Sequence, residues 1–251
     1  MKFFVLSDIH GFYDEMIHAL NVAGFDPNNK EHWLITCGDH FDRGSQPLQV
    51  MNYLQGLKRK ILVRGNHEYL LEDCCHRGYY EMYDHSNGTL STIIKLSGGD
   101  LGNTFEECCK TTLTATSTFR KSMVNYFETK NHIFVHSWIP LKCNDNLPMY
   151  YTKNRKFEFD PDWRNANDGD WVTAMWGNPY DLAEKFLPDK TIVFGHFHTS
   201  YPRHVYESKP EWGKGSDFSI YRGDGYIAID ACCAYSGKIN VLVLEDEFLE
   251  D

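Results

Sequence analysis

The sequence predicts an α/β fold, because short apolar segments of strand length alternate with segments that have helical periodicity. Five of the apolar segments are bounded by glycine or by a polar cluster, as strands usually are: residues 2–7, 33–37, 61–64, 133–135 and 191–194. Two later segments, 226–229 and 239–244, are expected to be the closing strands.

Capping residues indicate where the intervening helices begin or end. Asp, Ser, Thr and Asn accept hydrogen bonds from the first N–H groups of a helix, and Pro or Gly commonly lies near its ends. The signals are Asp14 with Gly24, Ser45 with Pro47, Thr104 with Glu107, and Asn178 with Pro179, the last helix running to Pro188.

The chain is expected to form a single domain over residues 1–251, since its length suits one large α/β domain and no linker divides it. Residues 74–130 are polar and weakly periodic, so we predict a helical insertion there that frames the entrance to the functional site. Residues 145–170 and 203–225 are predicted to be long surface loops.

Composition excludes several classes of protein. The 35 acidic and 25 basic residues give a net charge of −10, which argues against a protein that binds nucleic-acid phosphates. Aromatic residues make up 15%, too many for a mainly disordered chain, and no apolar segment approaches the ~18 residues of a membrane span. The apolar start is too short for a signal peptide, and no C-x-x-C pair occurs among the eight cysteines. We therefore expect a cytoplasmic protein with reduced thiols.

Ionisable residues collect where the predicted strands end. The pieces are Asp8-Ile9-His10, residues 38–44, residues 65–68, His136 and residues 195–198. Asp8 and His10 are two apart in an expected extended segment, so their side chains would point the same way, and His196 and His198 repeat this spacing. Alone, most pieces are explained as readily by a turn, a cap, a salt bridge or a satisfied histidine, and residues 195–198 alone are moderately suggestive of a metal site. Together they predict a site with oxygen and nitrogen ligands at the carboxyl ends of the strands.

The five pieces, in this order, resemble the motifs D-x-H, G-D-x-x-D-R-G, G-N-H-E, H and G-H-x-H of the calcineurin-like metallophosphoesterase superfamily. Asp42-Arg43-Gly44 with Glu68 resembles the phosphoprotein phosphatase branch. The closing segment 227–238 is similar to that of bacterial diadenosine tetraphosphatase-like or PrpE-like phosphatases. The resemblance covers nearly the whole chain and implies a four-layer α/β/β/α sandwich with metal ions at its lip.

The resemblance also implies two divalent metal ions, which would clamp a phosphate and lower the pKa of an attacking bound water. Asp39, with two carboxylate oxygens, is the expected bridging ligand. The other ligands would be Asp8, His10 and His198 at the first site, and Asn66, His136 and His196 at the second. This mixture of ligands suits Mn²⁺, Fe or Zn²⁺ better than Ca²⁺, and we expect Mn²⁺ to support activity in vitro.

Three residues are expected to act on the substrate directly. Arg43 would bind the phosphate oxygens through its bidentate guanidinium, with Asn66 as a second substrate contact. His67 would donate a proton to the leaving oxygen, because its ordinary pKa lies near the working pH. Asp42 would orient the His67 ring and stabilise its charged form.

The chain departs from the family pattern at two places. Trp138 follows the fourth motif where relatives often have a small pair, and we expect it to narrow the phosphate pocket or to stack on an aromatic leaving group. Asn178 stands where several relatives have a second phosphate-binding arginine. The candidates to replace that arginine are Arg155, Arg164, Arg203 and Arg222.

Several functions remain open at this stage. The leading hypothesis is a phosphomonoesterase that acts on phosphoserine or phosphothreonine in proteins, and its rival is a dinucleoside polyphosphate hydrolase, favoured by the closing segment. A nuclease is disfavoured by the acidic charge and by Asp42-Arg43-Gly44. A non-catalytic metal-binding scaffold is disfavoured because every candidate ligand is present together with Arg43 and His67.

Overall fold

Two five-stranded sheets form the centre of the structure, a computed structural model that describes residues 1–99, 102–143, 156–183 and 188–249. In spatial order, the first sheet contains β12 (Leu242–Glu245), β1 (Lys2–Leu6), β2 (His32–Cys37), β3 (Lys60–Val63) and β4 (Met123–Val124). The second contains β10 (Tyr221–Gly223), β11 (Tyr226–Ala228), β9 (Thr191–Phe194), β6 (His132–Phe134) and β5 (Phe127–Glu128). Two short strands, β7 (Lys142–Cys143) and β8 (Phe157–Glu158), pair with each other.

Helices connect most of the strands. Those in the first half are α1 (Tyr13–Ala23), α2 (Pro47–Gly56), α3 (Asn66–Arg77), α4 (Met82–Asn87), α5 (Thr89–Leu96), α6 (Phe105–Ala115) and α7 (Ser117–Lys121). Those in the second half are a 3₁₀ turn (Trp163–Asn165), α8 (Asp168–Ala174), α9 (Pro179–Ala183), α10 (Ser200–Glu207) and α11 (Cys233–Ser236). Among the described residues, no helix combines the length and the apolar character that crossing a bilayer requires.

Parallel pairing places the functional ends of the strands at one edge of each sheet. Strands β1 to β4 pair in parallel, as do β11, β9 and β6, whereas β12, β10 and β5 join antiparallel at the outer edges. The carboxyl ends of β1, β2 and β3 are therefore neighbours, and so are those of β6 and β9.

Alternation along the strands builds the four predicted layers. Phe3 and Val5 point between the sheets, where they pack with Phe134 and Val193 of the second sheet. Phe4 and the other residues of this sheet that face away from the second sheet pack against α1, α2 and α3. On the far side, the second sheet packs against α8, α9 and the 3₁₀ turn. Because neighbouring strand residues face opposite ways, each sheet buries both faces, which confirms the α/β/β/α sandwich.

The helix signals are confirmed in part. Thr104 accepts from the Glu107 N–H at 3.3 Å, while Glu107 accepts from the Thr104 N–H at 2.8 Å, so the predicted capping box is present. Gly24 ends α1 in a left-handed conformation, as predicted. Asp14 as the cap of α1 is wrong, because the helix begins at Tyr13 and the Asp14 carboxylate instead accepts from Gln46 at 3.0 Å. The predicted extension of α9 beyond residue 183 lies partly outside the described residues.

The helical insertion exists but is shorter than residues 74–130. Residues 74–77 are the end of α3, and residues 123–128 contain β4 and β5, which extend the two sheets. The insertion proper consists of α4 to α7, and it packs on α3 chiefly through α5 and α6. Short strands at a sheet edge carry little apolar pattern, which is why sequence periodicity does not separate them from the insertion.

The long surface loops are also interrupted by regular structure. Residues 203–225 contain most of α10 and the edge strand β10, and residues 156–170 contain β8, the 3₁₀ turn and the start of α8. The remainder of the first loop, residues 145–155, lies outside the described residues.

Replacing Gly88 tests how closely the insertion approaches the second motif. Gly88 has φ +89°, and a Cβ there would overlap the backbone nitrogen of Arg43. Gly24 has φ +80° with no neighbour within 4 Å. We expect Gly24→Ala to lower the free energy of unfolding by about 1 kcal/mol for its left-handed backbone. Gly88→Ala should lower the free energy of unfolding by about 2 kcal/mol more than Gly24→Ala does, because the new Cβ overlaps Arg43. Equal losses by chemical denaturation would contradict this close approach.

Asp246 should make the stability of the fold depend on pH. Its carboxylate accepts from Thr129, Asn131 and the His132 ring, at 2.6 Å for the ring. Although burial opposes it, these bonds hold the pKa of Asp246 well below its usual value. Its stabilisation is therefore complete above the unfolded pKa of about 3.9 and is lost as the pH falls towards the folded pKa.

Asp246→Asn is therefore expected to lower the free energy of unfolding by about 2 kcal/mol at pH 7. It should also flatten the decline in stability below about pH 4. Denaturant titrations between pH 2 and pH 7, with the exposed Asp224→Asn as control, measure both effects. An unchanged pH profile in Asp246→Asn would contradict the assignment.

Candidate active site

The predicted strand-end residues meet at the edge where the parallel strands of both sheets end. Asp8 follows β1, Asp39 follows β2, and Asn66 begins α3 directly after β3. His136 and His196 follow β6 and β9 in the second sheet. The His196 N–H donates to Asp8 Oδ2 at 2.9 Å, a hydrogen bond that joins the two sheets at this point.

Left-handed backbone, and not the expected extended segments, positions these residues. The residues concerned have φ between +49° and +65°: Asp8, His10, Asp39, Asp42, Arg43 and His196. The prediction that Asp8 and His10 lie on an extended segment is therefore wrong. Non-glycine residues adopt this conformation at a cost of about 1–2 kcal/mol each, which persists only where surrounding contacts enforce it.

His10 and Asp39 provide the first group of ligand atoms, and His67 lies beside them, with atoms of all three residues within 4.8 Å of one another. His10 Nε2 is 3.6 Å from Asp39 Oδ2 and 3.9 Å from Asp8 Oδ1. His10 Nδ1 donates to the Phe41 carbonyl at 2.9 Å, which leaves the Nε2 lone pair facing the group.

The second group contains Asp39 again, with Asn66, His136 and His196. His136 Nδ1 donates to the Cys37 carbonyl at 2.8 Å, so its Nε2 presents a lone pair. This Nε2 is 2.8 Å from Asn66 Oδ1, 3.2 Å from His196 Nδ1 and 3.4 Å from Asp39 Oδ1. The Asp39 carboxylate thus turns one oxygen to each group, as a bridging ligand would.

The electrostatics of the two groups fit divalent cations. Burial and the neighbouring Asp39 carboxylate raise the pKa of Asp8 to about 6. Burial and the Arg43 charge lower the pKa of His10 well below its usual value, and burial with His136 does the same for His196. Without a cation, crowded carboxylates repel one another, which raises their pKa. A bound cation would remove this repulsion, because carboxylates and neutral imidazoles are the forms of these side chains that bind metal ions.

His67 is held in the geometry of a general acid. Its Nδ1 donates to Asp42 Oδ2 at 2.7 Å, and the same oxygen accepts from the Thr89 hydroxyl at 2.7 Å. The Asp42 N–H in turn donates to Thr92 Oγ1 at 3.0 Å. Although burial lowers it, the Asp39 and Asp42 carboxylates raise the pKa of His67 overall. Sequence reasoning missed Thr89 and Thr92, because they lie on α5 of the insertion and match no motif.

Arg43 lies at the mouth of the site. Its side chain is exposed, while Nη1 donates to His10 Nε2 at 2.8 Å and Nη2 lies 3.3 Å from His67 Nε2. A guanidinium here can bind an anion that approaches the first group, because its planar fork of N–H groups matches the oxygens of a phosphate.

Glu68 fixes the backbone of the second and third motifs. Its buried carboxylate accepts from the N–H groups of Asp39, His40 and Gly65 at 3.0, 2.8 and 2.8 Å. Although burial raises it, the charge and hydrogen bonds of His40 and the Gly65 N–H hold the pKa of Glu68 well below its usual value. Glu68 is therefore a positioning residue that holds Asp39 in place.

His198 belongs to neither group. Its Nδ1 lies 2.9 Å from the Ser200 hydroxyl, and its Nε2 lies 3.4 Å from the Glu211 carboxylate. Its role as a metal ligand stays a prediction that this geometry does not support.

Trp138 does not enter the site. It is 1% exposed and packs on Phe194 in the core of the second sheet, so the expectation that it narrows the pocket or stacks on a leaving group is wrong. Among the described arginine candidates, Arg164 pairs with Glu128, Arg203 pairs with Asp217 and Glu207, and Arg222 lies exposed on β10. Arg155 lies outside the described residues.

The sequence profile of the calcineurin-like phosphoesterases matches residues 1–200, which include both ligand groups, Arg43 and His67. The chain belongs to the calcineurin-like phosphoesterase family.

Sequence relatives of this phosphoesterase are named symmetrical bis(5′-nucleosyl)-tetraphosphatases. The protein from Aeromonas hydrophila is 41% identical over 64 residues, which are 25% of this chain and 23% of that relative. A protein from Klebsiella pneumoniae is 39% identical over 69 residues, 27% of this chain and 24% of the relative. The matched segment therefore spans about a quarter of the length of these relatives.

Solved structures of similar fold cover almost the whole phosphoesterase. A structure provisionally assigned as a diadenosine tetraphosphatase has a TM-score of 0.55 and 17% identity, covering 97% of this chain and 89% of its own. A cold-active protein-tyrosine phosphatase of Shewanella sp. has a TM-score of 0.54 and 16% identity, and the match covers 97% of this chain and 75% of that chain. A protein serine/threonine phosphatase of Saccharomyces cerevisiae has a TM-score of 0.50 and 14% identity, and the match covers 100% of this chain and 81% of that chain. At these identities, the similarity concerns the fold alone.

Thr89→Val tests whether the insertion supports the His67–Asp42 pair. Valine keeps the shape but removes the hydroxyl that donates to Asp42, so the orientation of the His67 ring should loosen. We expect kcat on a phosphoester to fall by about tenfold, which corresponds to the loss of one hydrogen bond to a charged group. The control is Thr114→Val on α6, whose exposed hydroxyl bonds only the helix carbonyl of Lys110. Equal kcat values in the two variants would show that Thr89 plays no part.

Proposed function

We propose that this phosphoesterase hydrolyses phosphoric esters or anhydrides at a centre of two divalent metal ions. One observation carries the proposal: the Asp39 carboxylate directs Oδ2 to His10 at 3.6 Å and Oδ1 to His136 at 3.4 Å. A buried carboxylate shared between two sets of oxygen and nitrogen ligands suits a pair of cations. Asp8 supports the first set, and Asn66 and His196 support the second.

The side chains beside these ligands suit an in-line displacement at phosphorus. Bound divalent cations would neutralise the charge of the phosphate and lower the pKa of a water. Arg43 would bind the phosphate oxygens from the mouth of the site. A water that has lost one proton to the solvent would form a P–O bond as the bond to the leaving oxygen breaks, and that oxygen would take a proton from His67 Nε2. Asp42 accepts from Nδ1 and stabilises the charged ring before the transfer.

Dinucleoside polyphosphates are the substrate class that we favour. The relatives with 39–41% local identity are named bis(5′-nucleosyl)-tetraphosphatases, and the closing segment agrees with them. Phosphoserine or phosphothreonine in a protein is the second candidate, because Asp42-Arg43-Gly44 and Glu68 are spaced as in phosphoprotein phosphatases. Protein phosphatases resemble this chain in fold, at 14–16% identity.

His67→Asn tests the proton donor. Asparagine keeps a polar group of similar size but cannot supply a proton, so kcat should fall by about 10²–10⁴. The matched control is His76→Asn, an exposed histidine on the same helix. Turnover of diadenosine tetraphosphate and of a phosphoserine peptide should be measured with Mn²⁺, Zn²⁺ or Fe²⁺ added. An unchanged kcat in purified, metal-loaded His67→Asn would refute this role.

Asp39→Asn tests the bridging carboxylate by metal content. Removing its charge should lower the metal bound per chain from two ions towards one or none, while the far-ultraviolet circular dichroism keeps its native shape. Mass spectrometry of dialysed protein measures the metal directly. Two retained ions in Asp39→Asn would contradict the bridging assignment even if turnover fell.

A further inference from the structure

An exposed cluster of aromatic side chains lies beside the candidate active site and is unused by the proposed mechanism. It consists of His198, Trp212, Phe218 and Tyr235, and we call it the aromatic patch. Trp212 is 46% exposed and Tyr235 is 53% exposed, although both rings contact other members of the patch. Large aromatic rings normally bury most of their surface, so exposed rings held together indicate a binding surface.

The rings of the patch are held in fixed positions. The centroids of Trp212 and Tyr235 are 5.0 Å apart, with their planes at 80°. The Tyr235 hydroxyl accepts from the Gly213 N–H at 2.8 Å, and Phe218 packs on Tyr235 at 5.5 Å. Preorganised rings lose little conformational entropy when a flat ligand stacks on them. Two nearly perpendicular rings offer such a ligand one face and one edge.

Two contacts connect the patch with the loop that carries His196. The His198 ring is 4.4 Å from Trp212, and His198 follows the ligand candidate His196 by two residues. The segment that carries Tyr235 is joined to the same loop, because the Thr199 N–H donates to the Asp230 carbonyl at 3.0 Å. The patch therefore adjoins the loop that carries the ligand candidate His196.

Three other tryptophans are too deeply buried to take this role. Trp138, Trp163 and Trp171 are exposed by 3% or less and pack in the core of the second sheet. The hydrogen bond of His198 to Ser200 and its 3.4 Å contact with the Glu211 carboxylate are consistent with its place outside the ligand groups, where its ring lies against Trp212.

We propose that the aromatic patch binds the nucleobase of a nucleotide substrate by stacking on Trp212 and Tyr235. This inference rests on the proposed function and names the part of the protein that selects a nucleotide. Stacking suits a patch without many polar groups, because every base has a π-face that an aromatic side chain can cover.

The test compares substrates that share the phosphate chain but differ in the base. KM is measured for diadenosine tetraphosphate and for inorganic tripolyphosphate, which has no base, in the wild type, Trp212→Ala, Tyr235→Ala and Trp212→Phe. The two alanine variants should raise KM for the dinucleotide by about tenfold, the effect of losing one stacking contact. They should leave KM for tripolyphosphate unchanged, and Trp212→Phe should retain most of the dinucleotide affinity. The control is Tyr80→Ala, a 52% exposed tyrosine next to the insertion.

Binding without turnover separates this inference from the proposed function. Calorimetry should find that ADP binds the wild type more tightly than pyrophosphate does, and that Trp212→Ala abolishes the difference. If neither polyphosphate is hydrolysed but this ADP preference is present, the proposed function fails and the stacking site stands. Any of three results would overturn the stacking site. These are equal affinities of the wild type for ADP and pyrophosphate, equal rises in KM for both polyphosphates in the alanine variants, and a rise in KM for a phosphoserine peptide alone.

Discussion

The position of the Asp39 carboxylate is the constraint on which the rest of the site depends. Its Oδ1 accepts from the His67 N–H at 3.0 Å while also facing His136, and its Oδ2 faces His10. Three features hold it there: a left-handed backbone at Asp39, the Glu68 carboxylate that accepts its N–H, and the absence of a side chain at Gly65. A Cβ on Gly65 would overlap Asp39 Oδ1, so this close approach requires glycine.

The surrounding fold supplies the rigidity that this arrangement needs. Six left-handed residues at the site represent an unfavourable energy of several kcal/mol in all, on the order of 1–2 kcal/mol each. The apolar layer between the sheets and the two outer layers fix both ends of every loop concerned. Cations bound only by the folded state would stabilise it further.

The helical insertion contacts the residue that is proposed to orient His67, although it carries none of the candidate ligands. Its α5 contacts the Asp42–Arg43 turn through Gly88, Thr89 and Thr92, which fixes the residue that orients His67. The aromatic patch is formed by residues that follow β9 in the sequence. The proposed proton donor and the proposed base-binding patch therefore depend on separate segments of the chain around one pair of ligand groups.

The sequence by itself determined the fold class, the strand ends and the convergence of their polar residues. Apolar segments that end in Asp8, Asp39, Asn66, His136 and His196 suffice for this, because parallel strands necessarily bring their carboxyl ends together. The Thr104 capping box was equally predictable, since it depends on residues three apart.

Tertiary structure alone decided the details of the site. Thr89 reaches Asp42 across 47 residues, and no local pattern encodes that contact. Trp138 turns into the core while Trp212 remains exposed, although both are tryptophans near a motif, because burial depends on which layer covers each side chain. The left-handed conformations of Asp8 and His10 likewise occur where contacts distant in sequence hold the loop, since their N–H groups donate to the carbonyls of Gly38 and Asp39 at 3.1 and 2.9 Å.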